Sequence, residues 1–182
     1  LLFSDDFTTN GAGWSEATDE SATRYLKDGK YHIVGTRNTR HAWSTPGQDF
    51  DFADISVEVN GDLVEGPDQH GYGLMFRYVD SRNYYHFEIA GTGYFRFYKK
   101  VDNSWKVIVE WTYSRAIKTQ KQVNAIRVEA KGNTFSFYVN GSRVGTYTDD
   151  TFASGNIALF ACTYQEAGVH VAFDDLKVWE AK

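Results

Sequence analysis

Residues 135–141, with the sequence FSFYVNG, decide the fold class of this chain. From Phe135 to Val139 every second residue is strongly apolar, which is the period-two pattern of a strand with one buried face. Asn140-Gly141 follows directly, and this dipeptide favours the type I′ turn of a two-residue β-hairpin. The stretch therefore predicts a hairpin strand that packs on a hydrophobic core.

The same alternation recurs along the whole chain, in short runs that are bounded by turn signals. Ile55–Val59 alternates before Asn60-Gly61, and Asp28-Gly29 precedes another such run. Four more runs fit the pattern: Trp105–Trp111, Ile126–Ala130, Ile157–Ala161 and Val169–Phe173. About a dozen strands result, more than the roughly seven of an immunoglobulin-type sandwich, so we predict a larger all-β sandwich.

The composition supports this fold class and excludes several others. The chain has 182 residues, of which 42% are hydrophobic and 24% charged, with a formal net charge of −5. These values are typical of a globular protein and do not fit a disordered chain, collagen or a basic nucleic-acid-binding protein. The apolar residues never run to the roughly 18 that span a bilayer, so we predict no membrane insertion by this segment. Cys162 is the single cysteine, which excludes an intrachain disulfide.

No linker-like stretch or change of composition divides the sequence near its middle. We therefore predict one domain over residues 1–182. The first residue, Leu1, is not a start methionine, and no basic-then-apolar leader opens the chain. We expect the sequence to be a processed chain or a domain of a larger protein.

Several separate pieces of the sequence resemble the concanavalin A-like lectin/glucanase superfamily. They are the opening Phe3–Phe7 followed by Trp14, the Asp28–Tyr31 hairpin, Gly71–Tyr78, Tyr84–Ile89, Phe135–Gly141 and the closing Phe173–Val178. Within the superfamily, the chain is most similar to the laminin-G-like and 3-keto-disaccharide hydrolase-like domains. The resemblance implies a two-sheet antiparallel jelly-roll sandwich and an extracellular or cell-surface location. None of the matching pieces is a catalytic signature, so the resemblance specifies fold more than function.

The alternation in the middle of the chain predicts a polar and aromatic outer face. If Leu74, Phe76 and Tyr78 face the core, the intervening residues of this strand and its neighbours face the other way. That outward set is Arg77, Tyr84, His86, Glu88, Tyr94, Arg96 and Tyr98.

Cross-strand pairing predicts which of these side chains meet. Pairing Ile89 with Phe95 across the turn at residues 90–93 sets Glu88 opposite Arg96. We expect an ion pair between these two side chains.

The same register predicts the neighbours of the remaining members of the face. His86 falls opposite Tyr98, and the preceding hairpin brings Arg77 beside His86 or Tyr84. His41, on another predicted strand, is a further candidate for the same site.

These residue types are the ones that bind sugars. Aromatic rings stack on the apolar faces of pyranose rings, while carboxylate, guanidinium and imidazole groups exchange directional hydrogen bonds with hydroxyl groups. The face also has a plain structural interpretation, since Glu/Arg pairs and Tyr ladders stabilise an exposed sheet by about 0.2–1 kcal/mol per pair without any ligand. The sequence leaves both interpretations open.

A catalytic site is not evident in the sequence. Most glycosidases hold two carboxyl groups about 5 to 9.5 Å apart. The laminarinase-type enzymes of the resembled superfamily carry an ExDxxE-like run, which this sequence lacks. Asp54 and Glu58 share a strand face but lie about 13 Å apart, which is too far for such a pair. The sequence also contains neither a GxSxG elbow nor an HExxH metal motif.

The two ends of the chain carry matching acidic pairs, Asp5-Asp6 and Asp174-Asp175. If the first and last strands lie side by side, four carboxylates crowd one edge. A hard cation with oxygen ligands relieves such repulsion, so we expect a structural Ca²⁺ site that includes Asp6 and Asp174. The alternative is that these carboxylates end strands and point into water.

The sequence therefore predicts a non-catalytic module that binds a polysaccharide or glycan on the outer face. Two alternatives stay open: a glycoside hydrolase or 3-keto-disaccharide hydrolase-like enzyme, and a protein-interaction or sensor ectodomain. The enzyme alternative depends on Arg77 and Glu88, whose surroundings GLMFR and YHFEI are similar to GxxxR and YExQ-like runs of the hydrolase group. The chain departs from that group at His86-Phe87 and lacks its downstream Gln. The negative net charge disfavours nucleic acid as a partner.

Overall fold

The computed structural model describes residues 1–39 and 41–181, which form fifteen β-strands. The strands are β1 Phe3–Asp5, β2 Ala17–Thr18, β3 Ala22–Lys27, β4 Lys30–Gly35, β5 His41–Ser44, β6 Ile55–Glu65, β7 Gly71–Asp80, β8 Asn83–Ala90, β9 Tyr94–Val101, β10 Ser104–Tyr113, β11 Asn124–Lys131, β12 Thr134–Val139, β13 Ser142–Thr148, β14 Asn156–Cys162 and β15 Val169–Glu180. Residues 1–39 and 41–181 contain no helix, which confirms the all-β prediction. Within this part of the chain, no helical segment is therefore long and apolar enough to cross a membrane.

The strands form two antiparallel sheets that pack face to face. One sheet has nine strands in the order β13-β12-β11-β6-β15-β4-β3-β2, with β1 also paired to β15. The other has six strands in the order β10-β9-β8-β7-β14-β5. Strands distant in sequence are neighbours in both sheets, because the connections cross from one sheet to the other as in a jelly roll. The predicted two-sheet antiparallel jelly-roll sandwich is confirmed.

The hydrophobic core fills the space between the two sheets. Val57 and Val128 of the nine-stranded sheet are fully buried there, as their alternation predicts. Across the interface, the ring of Phe87 stacks on that of Phe137 with centroids 4.4 Å apart and an interplanar angle of 14°. Burying one such side chain contributes about 1.5–3 kcal/mol. Packing of this kind fixes the inner faces, and thereby decides which side chains of each strand point outward.

Two of the predicted turn signals have different outcomes. Asn140 and Gly141 have φ values of 50° and 78°, as a type I′ turn requires, and they join β12 to β13. Asn60-Gly61, which the sequence marks as a turn, lies inside the long strand β6 instead. Gly61 is needed there for space, because a β-carbon at this position would lie 2.8 Å from the ring of Tyr72 in the opposite sheet.

A bulge in β7 changes which of its side chains face outward. The pairing of β7 with β8 shifts between Phe76 and Asp80, and Arg77 has a positive φ of 45°. A bulge inserts an extra residue and so breaks the period-two alternation. Arg77 therefore turns away from the outer face and Tyr78 turns towards it. The predicted orientation is wrong for both residues.

Arg77 instead holds one end of the sandwich together. Its guanidinium is buried and donates hydrogen bonds to the backbone carbonyl groups of Phe152 at 2.8 Å, Ala53 at 3.1 Å and Gly132 at 2.7 Å. It also lies 5.0 Å from the centroid of the Phe135 ring. These contacts join three separate connections of the chain, which is a structural role.

Candidate functional site

The outer face of the six-stranded sheet carries most of the predicted polar cluster in the predicted register. Glu88 of β8 pairs with Arg96 of β9, and His86 pairs with Tyr98, so both predicted pairings are confirmed. Tyr84 lies on the same face, where it packs in a second, smaller apolar cluster outside the main core. Five of the predicted residues are thus brought together.

Most of this cluster is buried, contrary to the expected open sheet face. Glu88 and His86 have no exposed surface. Side chains from outside the two hairpins cover them: Tyr164, which follows β14, binds Glu88, and Trp105 of the edge strand β10 contacts His86. Alternation shows which way a side chain points, but it does not show what lies on top of it.

Glu88 is the centre of a buried hydrogen-bond network. Its carboxylate accepts hydrogen bonds from Arg96 Nε at 2.9 Å, Tyr98 Oη at 3.1 Å and Cys162 Sγ at 2.9 Å. Tyr164 Oη donates a fourth, and it accepts one from Arg96 Nη2 at 2.7 Å. Leaving a buried charge without such partners costs several kcal/mol. The network therefore satisfies Glu88 and fixes the side chains around it.

The hydroxyl and thiol groups of this network stay protonated. Burial, together with the charge of Glu88, raises the pKa of Tyr98, Tyr164 and Cys162 well above their usual ranges. Each of these groups therefore remains a hydrogen-bond donor to the carboxylate at neutral pH. The Cys162 thiol is not an activated nucleophile, because the reactive form of cysteine is the thiolate.

Two neutral histidines complete the network. His41 Nε2 lies 3.0 Å and His86 Nε2 lies 3.3 Å from Tyr98 Oη. Because that hydroxyl donates its proton to Glu88, we assign both rings as donors to it through Nε2–H. Burial lowers the pKa of His41 to about 4 and holds that of His86 well below its usual value, so both rings are uncharged at neutral pH. His41 shares the face with the other candidates, as predicted.

An open groove of about 590 Å³ lies over one end of this network. Its lining consists of Thr39, Gln69, Ala90, Thr92, Tyr94, Trp111, Tyr164 and Gln165. These described lining residues include three aromatic rings and no charged side chain. Tyr94, which is 41% exposed, is the predicted site residue that lines the groove directly. Glu88 and Arg96 lie beneath the groove and are not part of its lining.

Arg96 connects the buried network to the wall of the groove. Its guanidinium carbon lies 4.8 Å from the centroid of the Trp111 ring and 5.4 Å from that of Tyr164. Such cation–π contacts hold the rings in fixed positions. Sequence reasoning misses both rings as site residues. Trp111 has a signal, since it ends the alternating run of β10, whereas only the topology brings Tyr164 to this face.

A further exposed ring lies at the other end of the same face. Trp105 is exposed, and its ring centroid lies 5.0 Å from those of both His41 and Tyr98. Two register shifts in β10 lie between Trp105 and Trp111, so these rings are separated along the sheet by about four residues of β9, or about 13 Å. Aromatic surface is therefore available at both ends of the outer face.

The acidic pairs at the termini do lie close together, because β1 pairs with β15. Asp6 accepts hydrogen bonds from the backbone and side chain of Thr8, and Asp174 accepts one from the backbone of Asp175. Among residues 1–39 and 41–181, no three His, Cys, Asp or Glu side chains are grouped so as to hold a metal ion. The structure does not test the calcium site, which stays a prediction.

In sequence, the chain matches no family model and no curated protein. In structure, it has the fold of the concanavalin A-like jelly-roll superfamily, as the sequence resemblance predicts. The carbohydrate-binding module CBM66 from Bacillus subtilis superposes with a TM-score of 0.73 at 19% identity, over 93% of this chain and 96% of that one. A Bacillus subtilis protein of unknown function with a galectin-like fold gives 0.72 at 12% identity, over 98% and 95% of the two chains. A Bacillus licheniformis β-glucanase gives 0.69 at 12% identity, over 99% and 97%.

Proposed function

We propose that this chain binds a neutral polysaccharide or glycan in the groove lined by Tyr94, Trp111 and Tyr164. The observation that carries the proposal is the combination of three aromatic rings with uncharged amide and hydroxyl groups in one open groove of about 590 Å³. The rings offer stacking surfaces for sugar rings, and the amides of Gln69 and Gln165 can both donate and accept hydrogen bonds. The likeness to a carbohydrate-binding module and a β-glucanase agrees with a glycan ligand.

The charges around the groove favour a neutral ligand. Arg96 is the cation beneath the groove, and its charge is already paired with Glu88 at 2.9 Å. An acidic sugar would therefore find no free cation among the described lining residues. A neutral sugar chain has no charge to desolvate on entering, and a long chain could extend along β10 towards Trp105.

The geometry supports binding rather than catalysis. Glycoside hydrolysis needs a pair of carboxyl groups on either side of the bond that is cleaved. The described lining of the groove contains no carboxylate, and Glu88 beneath it is fully buried and accepts hydrogen bonds from four groups. An assay of reducing-sugar release tests the hydrolase alternative. Release by the parent protein and not by Glu88→Gln would contradict our proposal.

Because a carbohydrate-binding module shares this fold, we infer an extracellular or cell-surface location. Fractionation of the producing cells tests this inference. A protein-interaction or sensor role is the remaining alternative. Binding to a broad glycan array separates this alternative from glycan binding, since a protein-interaction or sensor domain of this kind would bind none of the glycans.

Substitution of the groove rings tests the proposal directly. We expect Trp111→Ala and Tyr94→Ala each to weaken the affinity for a bound polysaccharide by about 1–3 kcal/mol, the usual cost of removing an aromatic anchor. Both side chains are partly exposed, so the free energy of unfolding should change by less than about 1 kcal/mol. Isothermal titration calorimetry and urea unfolding measure the two effects.

Tyr25→Ala is the matched control, because it removes a partly buried ring from the nine-stranded sheet. This variant should bind the polysaccharide as the parent does. Unchanged affinity in both groove variants would show that the ligand does not use this groove.

A further inference from the structure

A second groove, of about 640 Å³, lies on the outer face of the nine-stranded sheet. The strand register places Trp179, Ser56, Glu129 and Ser136 side by side in one row across β15, β6, β11 and β12. Neighbouring strands lie about 4.8 Å apart, so the row is about 14 Å long. This surface is on the opposite side of the sandwich from the first groove.

Trp179 presents its indole at one end of this row. In the part of the chain that the structure describes, the indole is partly exposed, stacks on no other ring and makes no hydrogen bond. Trp14 is different, since it is buried against Phe7 and its Nε1 donates to Asp5 at 2.8 Å. Neither a ring contact nor a hydrogen bond within the described residues therefore fixes the indole of Trp179.

Tyr138 holds a donor and an acceptor of β11 in place in the same groove, two strands away from this indole. The guanidinium carbon of Arg127 lies 4.1 Å from the centroid of the Tyr138 ring, and the hydroxyl of the same ring donates to Glu129 Oε2 at 3.0 Å. Arg127 Nη2 and Glu129 Oε1 are 3.8 Å apart, which is too long for a hydrogen bond. One N–H group and one carboxylate oxygen are thus fixed close together without satisfying each other.

We propose that this groove is a second saccharide-binding site, which takes a neutral sugar with neighbouring hydroxyl groups. One hydroxyl accepts a hydrogen bond from Arg127 and the next donates one to Glu129, while the sugar ring stacks on Trp179. Both charge signs are present in the groove, so its net field is weak and it does not select an ionic ligand. The ligand class is that of the proposed function, but the residues are independent of the first groove.

Two sites on opposite faces would make one molecule bivalent. The first groove uses Trp111 and the second uses Trp179, on the two different sheets. One protein molecule could therefore connect two polysaccharide chains, and binding to a polymer would gain from both contacts.

The test counts binding sites on the intact chain. The parent is screened against soluble β-glucan, mannan, xylan and fructan, and a short oligosaccharide of the polymer that binds is titrated by calorimetry. We expect two sites per molecule in the parent and one in Trp179→Ala, with the affinity of the remaining site unchanged. Glu129→Gln keeps the shape of the groove and should weaken the second site by about tenfold or more, equivalent to about 1.4 kcal/mol. Trp111→Ala should remove the other site only.

One site per molecule in the parent, unchanged by Trp179→Ala and Glu129→Gln but lost in Trp111→Ala, would overturn the second site and leave the first intact. One site lost in Trp179→Ala but kept in Trp111→Ala would support the second groove and overturn the first. A parent that binds none of the four polymers would overturn both. A dimer that Trp179→Ala converts to a monomer, with glycan binding unchanged, would assign this face to self-association and also overturn the second site.

Discussion

The two outer faces of the sandwich carry similar charge pairs at different depths. On the six-stranded sheet, the side chains of Glu88 and Arg96 are 0% and 18% exposed and form a hydrogen bond of 2.9 Å. On the nine-stranded sheet, those of Arg127 and Glu129 are 30% and 38% exposed and remain 3.8 Å apart. The sequence pattern is alike in both places, with polar residues at every second position of a strand. The difference arises from Tyr164 and its neighbours, which cover the first pair.

A polar face on a sheet therefore has two uses. A covered pair forms a rigid network, because each of its hydrogen-bonding groups must be satisfied inside the protein. An uncovered pair keeps some of its hydrogen-bonding capacity for water or a ligand. In this protein, the covered face offers a ligand the rings above the charges, whereas the open face offers the charges themselves.

The largest expected effect is a loss of protein stability when the covered pair of Glu88 and Arg96 is broken. Glu88→Gln removes the charge that compensates Arg96, and breaking a buried ion pair in this way costs about 3–5 kcal/mol. Glu129→Gln on the open face should cost less than about 1 kcal/mol, since exposed pairs contribute little. Urea unfolding of the two variants measures both values. Equal losses would show that the covering residues do not isolate Glu88 from water.

Two arginines that both pack against a ring should also differ in their contribution to stability. Arg77→Met leaves the carbonyl groups of Phe152, Ala53 and Gly132 without their donor, and we expect a loss of about 2–4 kcal/mol. Arg127→Met keeps an apolar side chain over Tyr138 and should cost less than about 1 kcal/mol. Chemical unfolding provides the measurement. A small loss for Arg77→Met would mean that water replaces the guanidinium at this end of the sandwich.

The pH dependence of stability distinguishes the histidines of the two faces. In the folded protein, burial lowers the pKa of His41 to about 4, below its value in the unfolded chain. Between pH 6.5 and 4 the unfolded state therefore binds more protons, and stability falls as the pH falls. Through His41 alone, the free energy of unfolding should fall by about 1–2 kcal/mol between pH 7 and pH 5.

His41→Gln should flatten this pH profile, when unfolding is followed at several pH values. His32 on the open face is the control, because burial lowers its pKa without making a large shift. A profile that stays equally steep in His41→Gln would assign the pH dependence to His86 or to other groups.

Removal of calcium is expected to have the smallest effect. The carboxylates of Asp6 and Asp174 are already held by neighbouring N–H and hydroxyl groups, so the predicted Ca²⁺ ion should contribute little and excess EDTA should lower the melting temperature only slightly. Recovery of the melting temperature on addition of Ca²⁺, and no response to EDTA in Asp6→Ala or Asp174→Ala, would establish the predicted site, whereas a parent whose melting temperature EDTA leaves unchanged would contradict it.

The sequence predicts those parts of the fold that depend on local geometry. The turn at Asn140-Gly141 is confirmed because this dipeptide adopts positive φ at both positions more easily than others. The turn expected at Asn60-Gly61 is wrong, because Gly61 is required by Tyr72 of the opposite sheet. The bulge at Arg77 has no local signal either. Glycines that give space to a distant residue cannot be told from glycines that turn the chain until the two sheets are in place.

The candidate site follows the same division. The pairing of Glu88 with Arg96 is confirmed because a short hairpin sets its own register. Burial of this pair is not predictable from the hairpin, since it depends on Tyr164, which is 76 residues away in sequence from Glu88. The groove has the same origin, because its walls come from β10 and from the segments around Thr39 and Tyr164.

Cys162 gives this protein an internal reporter of local opening. It is the single cysteine, it is fully buried, and its thiol donates to Glu88 under the groove. A thiol reagent can reach it only when this face of the sheet opens, and reaction also requires deprotonation of the thiol. The rate of covalent labelling in the native protein therefore measures how often the covered face exchanges with solvent, without any engineered probe. A ligand that binds over the network should slow that rate in proportion to its occupancy.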